Sequence, residues 1–561
     1  MSIKKSAVVC VMQWNSLRAS DQPVLQAALK LNSDYLVAMH VVDRQFVAAG
    51  SRASERRRAF YAASVRSLQT QLVQRGTGLV VLEESSSGSS NGLNEVRVSS
   101  VSSISSAPAT ASSAVNPSED TANPSSAKSF SASAASLIAQ KVALLSETCR
   151  VDAVCVEDQN TVHELHFVDA LKKAMAKLNL KLIVTPNAQT LVKHNAIASK
   201  YLPDTFTQFR LTVEKSGNMY RELFQIPSKL PPLPPALEQA ASQWHSSLSN
   251  ETGASLEMDP RSAFPFAAGE KAALQRIQNY FTQTHAIKTY KGTRNELIGT
   301  QYSSKLSPFL AFGCVSASTV HNLLQQYEAT HGGNESTYWL LFELLWRDYF
   351  QFIGKKYGSQ LYHLRGITTS TERIESTWKY NPRKFEAWIT GHTGIPFVDA
   401  NMRELLQTGF MSNRGRQNVA SFLVRDLNLP WTLGAKWFEK HLLDHEPCSN
   451  YGNWQYVAGV GNDPRSDRYF NVIKQGKDYD PEGAYVKLWC PELKNVPVSV
   501  IHCPWKMSFD EQKASEVALG VTYPLPIVEA DAWKKHYAYS TKGKVGKANP
   551  SETVGRRPKR K

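Results

Sequence analysis

Long hydrophobic runs are missing from this chain of 561 residues. The longest apolar stretches, such as Ala7 to Met12, fall far short of the roughly 18 residues that a membrane-spanning helix needs. Ahead of that stretch there is no extended apolar core and no Arg- and Ser-rich leader. We therefore expect no transmembrane helix and no secretory signal, and no organelle-targeting peptide is visible.

Two further kinds of motif are absent. The seven cysteines are an odd number without a Cys-x-x-Cys pair, so neither a disulfide framework nor a zinc module is predicted. Asp444, His445 and Cys448 have side chains suited to a metal site or a Cys–His nucleophile, but no second ligand pair accompanies them. No Gly-x-Gly-x-x-Gly or P-loop motif occurs in a strand-to-helix turn. We therefore expect the protein in a reducing compartment, without a bound metal. We also expect no nucleotide bound through a Rossmann glycine motif or a P-loop.

The charge balance is basic. The chain has 64 Lys and Arg against 49 Asp and Glu, a formal net charge of +15. This excess favours a polyanionic partner such as nucleic acid, although charge that merely keeps the protein soluble would give the same composition. Residues 555–561 are mostly basic, a pattern of nuclear localisation signals, of non-specific phosphate clamps or of an inert terminus. We expect the protein in the nucleus or cytoplasm, with the tail favouring the nucleus.

Hydrophobic periodicity divides the chain. Residues 1–225 alternate strand-like and helix-like runs, which predicts a Rossmann-like α/β domain with a parallel sheet. Within it, the Ser- and Ala-rich segment 85–136 is predicted to be a disordered insertion. A Pro- and Ser-rich linker, 226–265, leads to an all-α domain at 266–505, and 506–561 is predicted to be irregular. The expected strands are Ala7 to Met12, Tyr35 to Val42, Leu79 to Leu82, Val151 to Val156 and Lys181 to Thr185.

Polar side chains suited to catalysis or ligand binding occur at several places in the helical half. Glu343, Trp346 and Arg347 share one helix face through their i,i+3 and i,i+4 spacing. An ordinary Glu–Arg ion pair beside a core tryptophan is the alternative. The hydroxyls of 302–308 precede a helix start, where they suit a phosphate or simply cap the helix. Acids, amides and aromatics are also unusually dense over 442–456.

Taken together, these residues resemble the photolyase/cryptochrome flavoproteins, and among them the cryptochrome-DASH branch. The similarity is dense at 302–313, 343–350, 393–405 and 449–456, and weaker at 202–210. It implies the photolyase/cryptochrome architecture, in which an α/β antenna domain precedes an all-α domain that holds FAD in a folded conformation. The periodicity independently predicts the same order of domains.

The resemblance assigns a set of residues to FAD. Tyr290 and the 303–307 segment are implied to hold its phosphates, Asp444 to Glu446 to lie against the ribityl and ring, and Asn450 to face flavin N5. Arg416 and Asp444 are implied to pair beside the ring, which would stabilise an anionic reduced flavin. The family usually has Asp in place of Glu446. The full set is Tyr290, Ser303, Ser304, Lys305, Leu306, Ser307, Arg347, Asn413, Arg416, Asp444, His445, Glu446 and Asn450.

The resemblance also implies a reaction, the light-driven splitting of cyclobutane pyrimidine dimers in DNA by electron transfer from excited reduced FAD. Glu343, Trp346 and Asn450 are the implied catalytic residues. Those implied to contact DNA are Arg294, Trp346, Asn413, Arg414, Gln417, Tyr456 and Gln475. Trp454, Trp431 and Trp378 match the family's electron relay, whereas buried tryptophans in general are simply core.

Two positions bear on the substrate. Gln417 and Tyr456 stand where duplex photolyases usually have Met and Trp, so the pocket offers less apolar surface. Because extruding a dimer from a duplex costs a few kcal/mol, we expect a preference for single-stranded DNA, with RNA a further candidate partner. The branch commonly carries a methenyltetrahydrofolate antenna, here expected at Glu157 or Asp158, although the N-terminal signature departs from the family at Gln13 to Gln22.

Three functions are compatible with these features. The preferred hypothesis is a single-strand-preferring deoxyribodipyrimidine photolyase, a carbon–carbon lyase that acts as a monomer away from membranes. The alternative is a non-enzymatic blue-light photoreceptor that uses the same flavin and tryptophans, since fold and cofactor alone do not decide function. A flavoprotein that binds nucleic acid without turnover is the third.

Overall fold

The computed structural model describes residues 4–42, 52–83, 124–238, 241, 258–368, 378–463 and 468–529. Five parallel strands form one sheet in the order β3-β2-β1-β4-β5. The strands are β1 (Ser6–Val11), β2 (Tyr35–Val41), β3 (Leu79–Leu82), β4 (Arg150–Glu157) and β5 (Leu182–Thr185). The predicted α/β class and all five predicted strands are confirmed, because short β-branched runs between turn residues leave little choice of structure.

Helices cover both faces of the sheet. The helices of this half are α1 (Pro23–Leu29), α2 (Glu55–Gln74), α3 (Pro124–Thr148), α4 (Val162–Lys177) and α5 (Phe206–Ser216). Central strand β1 is buried along its whole length, as expected for a strand that packs against helices on both sides. Side chains on its two faces belong to two separate hydrophobic clusters.

The helical half follows. Its helices are α6 (Glu270–Gln278), α7 (Tyr290–Thr293), α8 (Ser307–Ala311), α9 (Ala317–His331), α10 (Glu335–Tyr357), α11 (Pro382–Thr390), α12 (Pro396–Thr408), α13 (Asn413–Ser421), α14 (Trp431–His441), α15 (Pro447–Ala458), α16 (Val472–Tyr479), α17 (Ala484–Trp489) and α18 (Phe509–Ala514). The long helix α10 begins at a capping box formed by Asn334 and Thr337. In the described part of the chain, no helix is long and apolar enough to cross a membrane.

The Ser- and Ala-rich insertion is shorter than predicted. Helix α3 begins at Pro124, so the C-terminal end of the predicted disordered segment 85–136 is helical. Alanine favours helix, and Ala135, Ile138 and Val142 recur at i,i+3 and i,i+4 spacing and are buried against the sheet. A composition rich in Ser and Ala therefore concealed an amphipathic helix. The segment 84–123 lies outside the described residues.

The Pro-rich stretch at the start of the predicted linker runs back along the α/β domain. The Leu230 amide donates to the Arg75 carbonyl at 2.7 Å, and the Leu36 amide donates to the Pro232 carbonyl at 3.1 Å. The two domains also meet directly. Gly313 has φ +64°, and a Cβ atom there would lie 2.0 Å from the Asn15 carbonyl oxygen, so only glycine permits this close contact.

The sequence predicted an irregular C-terminal segment, but part of this segment is regular. Residues 506–529 include helix α18 and continue as a strap across the loop between α11 and α12. The buried Tyr523 donates its hydroxyl to Asp399 at 2.7 Å, and the Ile527 amide donates to the Thr393 carbonyl at 2.9 Å. These contacts join residues more than a hundred positions apart, which periodicity cannot show. The basic tail lies outside the described residues.

We expect the Tyr523→Phe substitution to destabilise the helical half by about 1–3 kcal/mol, because it removes one donor from the buried Asp399 carboxylate. Chemical denaturation followed by circular dichroism measures the effect. Tyr201→Phe is the control, since Tyr201 is 71% exposed and should unfold as the wild type does. Equal denaturation midpoints for all three proteins would show that the strap contributes nothing.

Candidate functional site

A deep cavity opens in the helical half between α10, α13 and the segment that leads into α8. Its volume of about 270 Å³ lies near the lower end of the roughly 300–1,000 Å³ of typical small-molecule sites. The lining contains every residue assigned to FAD except His445 and Asn450. Those lining residues are Tyr290, Ser303, Ser304, Lys305, Leu306, Ser307, Arg347, Asn413, Arg416, Asp444 and Glu446. Distant stretches of sequence thus meet in one cavity.

A buried carboxylate stands at one wall of the cavity. Asp444 Oδ2 accepts hydrogen bonds from Arg416 Nη2 at 2.8 Å and from Ser307 Oγ at 2.6 Å. The Asp444 side chain is 2% exposed, and its Oδ1 atom has no hydrogen-bond partner among the described residues. An orphaned acceptor is costly when buried, so the site suits a ligand that brings a hydroxyl or N–H group to this oxygen.

A lysine that forms no ion pair with the described residues lies in the same cavity. Lys305 Nζ makes no hydrogen bond within the described residues and rests 3.1 Å from the centroid of the Tyr302 ring. Burial holds the pKa of Lys305 well below its usual value, with the Glu404 carboxylate opposing the shift. Its backbone has φ +59°, a conformation that non-glycine residues seldom adopt outside functional sites. An anionic ligand such as a phosphate fits this arrangement.

Glu446 has a structural task in addition to the implied contact with FAD, which stays a prediction. Its two carboxylate oxygens accept hydrogen bonds from the backbone amides of Cys448 and Ser449, both at 2.8 Å, and so cap the N-terminus of α15. The Ser449 hydroxyl adds a third at 2.7 Å. The extra methylene relative to Asp is therefore absorbed by the cap, and Glu446 shapes the cavity wall while its oxygens stay engaged.

Two residues of the implied set lie outside the lining. His445 is buried on the side of α2, and burial, aided by Arg57, lowers its pKa to about 3, so the imidazole is neutral. Asn450 donates its side-chain amide to the Ala435 carbonyl at 2.9 Å. Arg347, which does line the cavity, donates to the carbonyls of Gln189 and Leu310.

The implied catalytic carboxylate is also paired differently from the simplest expectation. Glu343 Oε1 accepts from Arg294 Nη1 at 2.9 Å, while Arg347 on its own helix bonds elsewhere. The i,i+4 ion pair considered from spacing is therefore wrong in its partner. Burial raises the pKa of Glu343, although the Arg294 charge opposes this shift. Both residues line the cavity.

Trp346 packs beside the cavity rather than in its lining. Its ring stacks on Phe206 with centroids 3.7 Å apart and planes inclined by 11°. Tyr456 meets it edge-on at 5.8 Å. Sequence reasoning missed Phe206, although it lies in the weakly similar stretch 202–210, because a stacking contact between the two domains leaves no local signal.

The remaining residues implied to contact DNA form a second group at the start of α13. Arg414 donates to Asn295 at 3.1 Å and, over 3.5 Å, to Gln475. Its guanidinium also covers the Tyr479 ring at 4.4 Å. Gln417 has a buried Oε1 atom without a partner in the described chain. The contacts of these residues with DNA stay predictions.

The three implied relay tryptophans are all buried. Trp431 Nε1 donates to the Leu364 carbonyl at 2.9 Å. A Cβ atom on Gly434 would lie 2.1 Å from the Trp454 ring, so helix α14 passes directly against that indole. Burial agrees equally with a relay and with a structural core, and the relay stays a prediction.

The residues expected to hold a folate antenna make hydrogen bonds within the protein, and the antenna stays a prediction. Glu157 is buried, and its oxygens accept from Ser16 Oγ at 2.8 Å and the Ala188 amide at 2.7 Å. Asp158 accepts from His194 Nε2 at 2.9 Å and from the Gln159 amide. Each carboxylate oxygen is thus already bonded within the protein. In the described ranges, no group of three metal-ligating side chains forms a metal site.

Comparisons with known proteins agree with this architecture. The sequence matches "DNA photolyase" over residues 8–102 and "FAD binding domain of DNA photolyase" over residues 339–542. Cryptochrome DASH from Xenopus laevis is 46% identical over 396 residues, which are 70% of this chain and 74% of the relative. Cryptochrome DASH from Gloeobacter violaceus is 46% identical over 389 residues, 69% of this chain and 76% of the relative.

Solved structures lead to the same family. A cryptochrome from Synechocystis sp. is 34% identical with a TM-score of 0.78, covering 97% of this chain and 100% of that one. A class III photolyase from Agrobacterium tumefaciens is 25% identical with a TM-score of 0.72, covering 97% and 99%. With its α/β domain and helical FAD-binding domain, the chain belongs to the photolyase/cryptochrome family. Its curated relatives place it in the cryptochrome-DASH branch.

Proposed function

We propose that this protein is a light-driven lyase that splits cyclobutane pyrimidine dimers, with single-stranded DNA as the preferred substrate and FAD in the cavity. The observation that carries the proposal is the Glu343–Arg294 pair, which lines the FAD cavity only one helical turn from Trp346. A carboxylate, a guanidinium and an indole beside a flavin site are what recognition of an extruded base requires.

The residues divide the work of the reaction. FAD supplies the light-driven electron chemistry when it is bound. The Asp444–Arg416 pair orients it, and Lys305 offsets negative charge. Glu343, whose pKa is raised by burial, shares a proton or hydrogen bond with the pyrimidine edge. Trp346, backed by Phe206, presents a rigid stacking surface.

The preference for single strands rests on the chemistry of the pocket. Gln417 carries a buried amide oxygen, and the Tyr456 hydroxyl oxygen accepts a hydrogen bond from Arg468 Nη2 at 3.3 Å. These polar atoms replace apolar stacking area. Because extrusion from a duplex costs a few kcal/mol that stacking must offset, dimers that are already unpaired are favoured.

The photoreceptor alternative uses the same FAD and tryptophans, and the site offers a way to separate the two. Repair requires Glu343 and Trp346, whereas light sensing requires only the flavin and its electron supply. Purified protein reduced in advance and illuminated with dimer-containing oligonucleotides should restore pyrimidines. Flavin photochemistry without any restored pyrimidine would favour the photoreceptor.

We expect Trp454→Phe to slow photoreduction of oxidised FAD by an external reductant by about tenfold or more, equivalent to about 1.4 kcal/mol of barrier. Repair by enzyme reduced beforehand should change little, because it does not use this route. Flavin absorbance under steady illumination measures the rate. Trp388→Phe is the matched control, as Trp388 is also buried and lies 6.2 Å from Trp454 but outside the implied relay. Unchanged photoreduction in Trp454→Phe would remove that residue from the relay.

A further inference from the structure

A buried tyrosine lies one ring away from the tryptophans of the implied relay. The centroid of the Tyr451 ring is 6.2 Å from that of Trp431, with the planes inclined by 80°. Both side chains are buried. Nothing in the resemblance gives Tyr451 a role, and nothing in the proposed reaction uses it.

The hydroxyl of this tyrosine faces a carboxylate. Tyr451 donates to Glu439 Oε2 at 2.8 Å. Burial works against ionisation of Glu439, yet His445, the Tyr451 hydroxyl and the charges of Arg57 and Arg52 outweigh it, and the pKa of Glu439 lies below its usual value. Glu439 is therefore an anion placed to receive a proton.

Burial and the Glu439 charge together raise the pKa of Tyr451 well above its usual value. The phenol therefore keeps its proton in the resting protein. Loss of an electron reverses this preference, since an oxidised phenol is a strong acid. Trp431 lies beside the Tyr451 ring and Glu439 lies at its hydroxyl, so an electron and a proton would leave Tyr451 toward different residues.

Two facing helices bring the components together. Tyr451 and Trp454 share one face of α15 through their i,i+3 spacing, and Trp431 and Gly434 do so on α14. Gly434 lies against the Trp454 ring, which sets the two helices close together. Glu439 lies further along α14. One helix therefore carries both Trp431, the ring next to Tyr451, and Glu439, the carboxylate that accepts its hydrogen bond.

We propose that Tyr451 is a redox-active tyrosine that reduces an oxidised Trp431 and passes its phenolic proton to Glu439. The proposal rests on the proposed function, because the oxidant is the tryptophan chain after it has supplied one electron to light-excited oxidised flavin. One electron moves from Tyr451 to the Trp431 radical cation and restores neutral tryptophan. The O–H bond breaks, the proton forms a bond to Glu439 Oε2, and a neutral tyrosyl radical remains. An external thiol or similar one-electron reductant then supplies one electron, Glu439 gives back the proton, and the neutral tyrosine is restored.

The neighbouring Tyr362 shows why the oxidising equivalent stops at Tyr451. Its ring lies 4.7 Å from that of Tyr451, closer than Trp431. Its hydroxyl is buried and has no hydrogen-bond partner among the described residues. Oxidation of Tyr362 would leave its proton without a hydrogen-bonded acceptor among the described residues, and a charge stranded in a buried site is costly. Tyr362 is thus the natural control for Tyr451.

Time-resolved electron paramagnetic resonance after a light flash tests the proposal on FAD-loaded, oxidised protein. The wild type should give a tyrosyl spectrum that narrows when the protein carries ring-deuterated tyrosine. Tyr451→Phe should give a tryptophanyl spectrum in its place, and Tyr362→Phe should match the wild type. Glu439→Gln should slow tyrosyl formation by about a hundredfold or more, the loss typical of removing a positioned base.

A purely structural role for Tyr451 predicts a different result. Tyr451→Phe would then lower the thermal midpoint and leave the radical spectrum unchanged, which would overturn the proposal. A wild-type spectrum that does not respond to tyrosine deuteration would overturn it even if Tyr451→Phe failed to fold. Trp454→Phe separates this failure from that of the relay. If Trp454→Phe blocks photoreduction while Tyr451→Phe leaves the radical spectrum unchanged, only the proposed tyrosine step is wrong. If photoreduction is normal in Trp454→Phe, both the tryptophan relay and the tyrosine step are wrong.

Discussion

The Asp444→Ala protein should be purified with little or no FAD. In the open cavity the Arg416 side chain is 26% exposed, and a bound cofactor would cover it. Without Asp444, binding would bury a lone guanidinium, and breaking a buried pair in this way costs about 3–5 kcal/mol. The affinity for FAD should therefore fall by about a hundredfold or more, measured as flavin absorbance per protein and by titration with FAD.

The control is Asp478→Ala, which removes an exposed i,i+4 pair with Lys474 on α16 and should retain FAD as the wild type does. Asp444→Asn keeps the shape of the side chain and should give an intermediate affinity. A folded Asp444→Ala protein with the flavin content of the wild type would contradict the role of this pair.

Trp346→Ala should lose binding of the dimer while it keeps FAD. Stacking of a base on an aromatic side chain contributes about 1–3 kcal/mol, so the affinity for a dimer-containing strand should fall by roughly fivefold to 150-fold. Trp346→Phe should retain part of it. Phe206→Ala should weaken binding less than Trp346→Ala, because it removes only the ring that supports the indole.

Fluorescence anisotropy with a dimer-containing single strand measures these affinities, and absorbance confirms that FAD remains. Phe509→Ala is the control, since that ring is 80% exposed on α18. Wild-type affinity in Trp346→Ala would show that the dimer is held elsewhere.

Local pattern was sufficient to predict the α/β half. Strands such as β1 and β3 are short apolar runs between turn residues, and their bounds were predicted to within a residue. Helix α3 was partly missed because the same Ser- and Ala-rich composition serves both disorder and helix. The strap ending in Tyr523 was missed because its stability comes from Asp399, far away in the chain.

The cavity and its Arg416–Asp444 pair were predictable from the resemblance, whereas the partner of Glu343 was not. The resemblance assigned Asp444, Arg416 and Ser307 to one site, and the structure brings them within hydrogen-bond distance. Spacing along α10 suggested Arg347 for Glu343, yet the partner is Arg294 from α7's C-terminal end. Ion pairs between distant segments depend on how helices dock, and periodicity carries no information about docking.

The most direct test of the central claim is repair itself. Protein with fully reduced FAD is illuminated with oligonucleotides that contain one cyclobutane dimer, single-stranded or in a duplex, and restored pyrimidines are counted against a dark control. We expect light-dependent repair of the single strand, slower repair of the duplex, and loss of both in Glu343→Ala. Flavin-loaded protein that restores no pyrimidines in the single strand under illumination would contradict the account.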